Sequence, residues 1–99
     1  MSVVHVVKKA VVWIYPGLGG WHFVYVPKEI SQLVRKESPP TKGFGFVPIV
    51  ATVGSTTWKT VLIWSSKEQV YLIALKALVR KKEGIVEGDK ITLAFQIDG

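Results

Sequence analysis

The sequence predicts a mainly β domain with two short helices, in the order β-β-α-β-β-β-α-β. Most of its segments are rich in Val, Ile, Trp and Tyr, residue types that fit a pleated, half-buried surface. Clusters of Gly, Pro and Ser separate these segments at hairpin spacing. One further segment repeats its apolar residues at helical intervals, and another has basic residues followed by a glycine, as at the end of a helix. The 99 residues, 1–99, have the length of a single domain with an ordinary core.

The first two strands, residues 3–15 and 21–26, are predicted to form a long hairpin across the turn at 16–20. That turn contains the glycines that a reversing chain needs for positive φ. Apolar and polar residues do not alternate cleanly in the first strand. This irregularity predicts a bulge, or burial on both faces of the strand.

A short helix over residues 28–37 is predicted after the second strand. Pro27 ends that strand and fits the first turn of a helix, where its missing N–H would have no partner anyway. Ile30, Leu33 and Val34 then fall on one helical face.

The third and fourth strands are predicted at residues 44–53 and 57–64, after a loop at 38–43 and around a turn at 54–56. Pro48 lies inside the third strand. Because proline has no N–H to give to a ladder, this position predicts an edge strand or a bulge.

The segment after the fourth strand allows two interpretations. Ser65 and Glu68 have the spacing of a capping box, which would begin a helix that runs to Glu83. The alternative is a hairpin turn that leads into a strand at 69–75. We favour the strand, because the apolar residues at 70–79 would cover every face of a helix rather than one.

A second short helix at 76–83 and a last strand at 90–97 complete the predicted elements. Gly84 is a natural helix end, with basic residues in the preceding turn, where cations suit the helix dipole. The sequence Leu-Val-Arg-Lys occurs in both helices, at 33–36 and at 78–81. This repeat is compatible with chance and with a barrel built from two similar halves.

Composition excludes several kinds of chemistry. With no cysteine, the chain has no disulfide, thiolate metal site or cysteine nucleophile. Its two histidines, His5 and His22, are not spaced as metal ligands, and no Gly-x-Ser-x-Gly nucleophile elbow occurs. The glycines at 16–20 lead into a strand without a P-loop lysine, so they predict a turn rather than a phosphate loop. We therefore name no catalytic residue, metal or cofactor, and favour a non-enzymatic protein.

The net charge of +6 suggests an anionic partner. Lysine and arginine neutralise phosphates without base-reading geometry, so the basic residues near the C-terminal ends of the two helices are candidates for binding nucleic acid. They are Arg35, Lys36, Arg80, Lys81 and Lys82. The alternative is that they form solvated helix faces whose charges complement the helix ends.

The four tryptophans are many for a chain of this length. They suggest a second hypothesis, a small-ligand or enzymatic domain with a pocket near Trp21, His22 and Trp58. Large aromatic side chains equally suit the core or the rim of a barrel, with each indole N–H seeking a partner. A protein-interaction domain is a third hypothesis.

No segment is predicted to cross a membrane. Residues 10–27 contain no Lys, Arg, Asp or Glu, but the proline and glycines at 16–20 would break a spanning helix. Lys8 and Lys9 follow the first apolar run rather than precede it, which is not the order of a signal peptide. We expect a cytoplasmic protein.

Several segments together match a known pattern: YPGLGGWHFVYVPKEIS (15–31), GFGFVPI (43–49), ATVGSTTWKT (51–60) and YLIALKALVRKKEGIVEGDKITLAF (71–95). They resemble a small domain family of unknown function that is often fused to a bacteriocin-protection (YdeI or OmpD-associated) domain. The resemblance implies a small double-split β-barrel related to the AbrB/MazE/MraZ-like transcription factors. VPKEI and GIVEGDKITL resemble pieces of the swapped-hairpin motif of those factors.

In the AbrB-like factors two chains build one barrel, whereas the resemblance implies that here one chain carries both halves. That arrangement is compatible with a monomer and with a dimer. The AbrB-like resemblance also adds to the nucleic-acid hypothesis, as a fold analogy. The family has no established activity, so the resemblance leaves the function open.

Overall fold

The computed structural model of the chain describes residues 3–37 and 46–98. In this part of the chain, seven strands and two α-helices confirm the mainly β prediction and its order of elements, with the first predicted strand divided into two. In chain order they are β1 His5–Val11, β2 Trp13–Ile14, β3 His22–Tyr25, α1 Lys28–Glu37, β4 Phe46–Val53, β5 Thr56–Ser65, β6 Val70–Ala74, α2 Ala77–Glu83 and β7 Lys90–Ile97. The predicted loop at 38–43 and the first two residues of the predicted third strand lie outside the described residues.

The strands form one antiparallel sheet in the order β1-β7-β4-β5-β6-β3-β2. The sheet curls until β1 also contacts β3, which makes a nearly closed barrel. Alternate residues of each strand point into it. The largest fully buried side chains are Tyr71, Phe95, Ile49 and Leu62.

The two helices lie at opposite ends of the barrel. β3 and β6 are antiparallel neighbours, and each runs directly into a helix, β3 into α1 and β6 into α2. Because the two strands run in opposite directions, the helices begin at opposite ends. Each helix buries one valine, Val34 in α1 and Val79 in α2, and leaves the preceding leucine exposed.

The predicted long hairpin is wrong, because β1 pairs with β7 and only the short β2 pairs with β3. A bulge separates the two parts of β1, with the register shifting between Val7 and Ala10 and Lys9 at φ 52°. At Val12 the backbone then bonds to the turn before β7, donating to Asp89 O at 2.9 Å and accepting from the Gly88 N–H at 2.8 Å. Of the two alternatives that the irregular pattern predicted, a bulge or burial on both faces, the structure shows the bulge; the change of partner was not predicted.

Pro48 does not mark an edge strand or a bulge, since β4 lies between β5 and β7 and pairs with both without a register shift. Its position is tolerated because the β4–β7 ladder ends there. The Asp98 N–H donates to Pro48 O at 2.9 Å, one residue beyond the last pair, Ile49 with Ile97. The reciprocal bond, which would need an N–H on proline, falls at the end of the ladder.

The choice of a strand after residue 68 is confirmed by β6. The capping-box contact itself does form, with the Glu68 N–H donating to Ser65 Oγ at 3.2 Å. The chain nevertheless reverses, because Gln69 takes φ 58° and its N–H donates to Ser65 O at 2.7 Å. Gly84 ends α2 as predicted, at φ 65° and with its N–H on Arg80 O.

Candidate ligand site: an aromatic cleft

A cleft of about 800 Å³ lies on the outer face of the sheet formed by β2, β3, β6 and the end of β5. We call it the aromatic cleft, because five aromatic side chains line it: Trp13, Tyr15, Trp21, Phe23 and Tyr25. Ile63 and Leu72 continue its apolar wall. The polar side chains of Ser65, Lys67 and Glu68, from the β5–β6 turn, lie at one end.

The two-residue period of the strands brings these rings together. Trp21, Phe23 and Tyr25 alternate along β3 and its N-terminal flank, so they share one face. Cross-strand pairing adds Trp13, opposite Phe23, and Leu72, opposite Tyr25. The outward face of three neighbouring strands therefore becomes a continuous apolar surface.

Phe23 is the centre of the ring cluster. Its centroid lies 5.3 Å from Trp13, 6.1 Å from Trp21 and 6.4 Å from Tyr15. Trp13 also stacks on Tyr25 at 5.1 Å with the planes 22° apart. These are the offset-stacked and edge-on distances that aromatic pairs prefer. The rings leave Phe23 only 8% exposed although it points away from the barrel core, so the cleft has a packed, preformed floor.

The outer rings of the cleft remain open to solvent. Trp21 is 56% exposed, Tyr15 53% and Tyr25 41%. An outward sheet face is ordinarily polar, and a contiguous exposed apolar patch marks a binding surface. The cleft volume also falls within the range of roughly 300–1,000 Å³ that is typical of small-molecule sites.

The glycine turn positions Trp21 at the other end of the cleft. Gly19 has φ 79°, and a Cβ there would lie 3.1 Å from Cδ1 and Nε1 of the Trp21 indole. Glycine favours this arrangement, because any other residue would be strained at this positive φ and would push the indole away by a few tenths of an ångström.

The predicted pocket residues Trp21, His22 and Trp58 do not all line one pocket, although Trp21 and His22 both line a smaller one beside α2. Trp58 points inward from β5 and belongs to the core at 9% exposure, whereas the cleft uses outward-facing Ile63 of the same strand. His22 follows Trp21 directly and so points to the other side of β3. Of the three predicted residues, only Trp21 lines the aromatic cleft.

The sequence-based prediction missed the other four rings of the cleft, namely Trp13, Tyr15, Phe23 and Tyr25. A signal for them was present, since aromatic residues alternate at 13 and 15 and again at 21, 23 and 25. In a half-buried strand, such alternation places all of them on one face.

The five predicted nucleic-acid contacts form two separate groups. Arg35 and Lys36 lie on α1 at one end of the barrel, and Arg80, Lys81 and Lys82 lie on α2 at the other. The Arg35 guanidinium carbon lies 3.9 Å from the centre of the Trp64 ring, a cation–π contact. Arg80 instead contacts His22, with Nη1 and Nε2 3.4 Å apart.

The histidines and acids of the described residues form no cluster of three or more that could hold a metal ion. His5 is buried near the α1 end, with Nε2 3.9 Å from the Glu37 carboxylate, while His22 lies at the opposite end. Burial raises the pKa of the Tyr71 phenol above its usual value, and the nearby Arg35 charge partly opposes this shift. In the described ranges no helix has the length and apolar character needed to cross a membrane.

The fold and the cleft define a small, mainly β barrel domain with an open aromatic surface on its outer face. The model of the domain of unknown function DUF1905 matches residues 9–95, so the chain belongs to that family. No curated protein matches the chain.

Proposed function

We propose that this domain is a non-enzymatic binding module that holds a small, planar, ring-bearing ligand in the aromatic cleft. The observation that supports it most is the contiguous exposure of Trp21, Tyr15 and Tyr25 over a packed aromatic floor. None of these three rings belongs to the barrel core or packs against it. A planar ligand would replace the water on their faces with stacking contacts.

Charged side chains at one end of the cleft could orient such a ligand. Its walls are apolar along most of their length, while Lys67 and Glu68 place one cation and one carboxylate at a single end. A few polar groups at the edge of an apolar pocket are the usual arrangement for fixing the direction of a ligand. The floor of the cleft around Phe23 is already packed, so its side chains need little further ordering when a ligand binds.

The test is a titration of neutral planar compounds, including indole and quinoline, followed by protein-detected NMR. We expect saturable shifts at the amides of Trp13, Phe23 and Leu72. Trp21→Ala should weaken binding about tenfold or more, because stacking on one ring contributes about 1–3 kcal/mol. Leu78→Ala is the matched control, since Leu78 is 66% exposed on α2, outside the cleft.

Equal affinity in the Trp21 and Leu78 variants would place ring binding elsewhere and overturn the proposal. Absence of binding by every compound would also contradict it. Because Trp21 is more than half exposed, its removal is expected to leave the fold intact, which a thermal melt checks.

Nucleic-acid binding through the basic helices stays a prediction. In its favour, Lys81 and Lys82 are exposed beside one another on α2. Against a single nucleic-acid track, the α1 and α2 groups lie at opposite ends of the barrel. Fluorescence anisotropy with DNA and RNA oligonucleotides at about 50 mM salt tests it, since phosphate contacts are strongest at low salt. No binding there would refute it.

A further inference from the structure

A second, smaller pocket of about 290 Å³ lies where the glycine turn meets α2. We call it the Arg80 pocket. Gly19, Gly20 and Trp21 line one side of it, and Lys76 and Arg80 line the other, with His22 between them. It shares Trp21 with the aromatic cleft, and its other lining residues take no part in the proposed ring binding.

Arg80 is held in one orientation at this pocket. Its Nε donates to Leu75 O at 3.2 Å, and its Nη1 lies 3.4 Å from His22 Nε2. His22 is itself fixed, because its Nδ1 lies 2.7 Å from Gly20 O, an atom that can only accept. Nδ1 therefore donates, and Nε2 is left to accept from Arg80. A guanidinium has five N–H donors, so most of those on Arg80 remain available to the pocket.

The charge of Arg80 has no carboxylate partner in the described part of the chain. Ion pairs within 4.0 Å there join His5 to Glu37 and Lys59 to Asp98, and neither involves Arg80 or Lys76.

Glu83, the acid of α2, is occupied elsewhere. Its carboxylate accepts from the Thr56 hydroxyl and from Ser55 Oγ in the β4–β5 turn. The pocket lining contains no acidic residue.

We propose that the Arg80 pocket binds a small oxyanion, a phosphate or carboxylate group. The planar fork of arginine matches two oxygens of such a group at once. Because Leu75 O and His22 already hold the side chain, binding requires little further ordering of it. Lys76 adds a second cation on the same side.

The experiment titrates the intact domain with inorganic phosphate and, separately, with acetate, with sodium chloride keeping the ionic strength constant. We expect saturable amide shifts at Gly20, His22 and Ala77. Saturation by one probe and not the other identifies the headgroup, and either result supports the pocket. The probes carry no ring, so a failure here leaves the aromatic cleft untouched.

Three variants test the geometry. Arg80→Lys keeps the charge but loses the fork, and should weaken binding about tenfold. Lys76→Gln should weaken it about two- to fivefold, the effect of one exposed charge. Lys81→Gln removes the same charge from a residue that does not line the pocket, and should change the affinity by less than about twofold.

Two results would overturn the proposal. Shifts that appear equally with chloride would show only a general salt effect. Equal weakening by Lys76→Gln and Lys81→Gln would show that the positive field of α2, and not the pocket, attracts the anion. The lysine comparison decides the matter even if Arg80→Lys disturbs the fold.

Discussion

The Ser31 hydroxyl completes the last pair of the β3–β6 ladder. Ser31→Ala removes only this one oxygen, but we expect it to destabilise the domain strongly. One bond of that pair is direct, from the Val26 N–H to Tyr71 O at 2.9 Å. The other passes through Ser31, whose Oγ accepts from the Tyr71 N–H at 3.0 Å and donates to Val26 O at 3.2 Å. Ser31 is fully buried, so no bulk water can replace it.

The magnitude follows from these contacts. Alanine leaves the buried Tyr71 N–H without its acceptor, which costs about 1–3 kcal/mol. The better helix propensity of alanine returns about 0.5 kcal/mol. We therefore expect Ser31→Ala to lower the free energy of unfolding by about 2 kcal/mol. For a domain of this size that lowers Tm by about 10 °C.

Urea unfolding followed by tryptophan fluorescence measures the change, with Gln32→Ala as the control on the exposed face of α1. Gln32→Ala should stay within about 0.5 kcal/mol of the parent. Hydrogen exchange should also show lost protection at the Tyr71 amide in the Ser31 variant. A loss below about 0.5 kcal/mol with Tyr71 still protected would mean that the two strands complete the pair directly, and would refute the reasoning.

Three further outcomes are expected. Glu83→Ala should lower the free energy of unfolding by about 1 kcal/mol in urea titrations, because the partly buried Thr56 hydroxyl loses its charged acceptor. Arg35→Met should lower it by about 0.5–1 kcal/mol and change the emission of Trp64, which loses its cation–π contact. Since burial raises the Tyr71 pKa, the unfolded chain loses the phenol proton first, and stability should fall as pH rises above about 10. Tyr71→Phe should flatten that fall in urea midpoints compared at about pH 9 and 11.

The elements that short-range chemistry determines were predictable. Pro27 directly precedes α1 and Gly84 ends α2, and each does so because of the backbone conformations open to that residue. The alternation in β7 likewise follows from one face being buried. The partner of β1 was not predictable, since it depends on where Val12 bonds to a turn more than 70 residues away along the chain.

The candidate site likewise has one part that the sequence could predict and another that it could not. The rings on β2 and β3 share a face by local alternation, and the sequence could have revealed them. The prediction grouped Trp58 with Trp21. In the sheet, however, β6 lies between β5 and β3, and Trp58 faces the core. Which face of β5 meets the core depends on the register of that strand, and one residue of shift would exchange Trp58 with its neighbours.

The two Leu-Val-Arg-Lys segments have the same sequence but different surroundings in the structure. In both helices the valine is buried and the arginine reaches over an end of the barrel. Arg35 meets the face of Trp64, so its charge is already paired with a ring. Arg80 meets a carbonyl and a histidine, and most of its donors face a pocket without acids. The net charge of +6 is therefore a weak argument for a long polyanion. The two arginines differ in their surroundings: Arg35 lies over an aromatic ring, whereas Arg80 lines a pocket that contains no acidic residue.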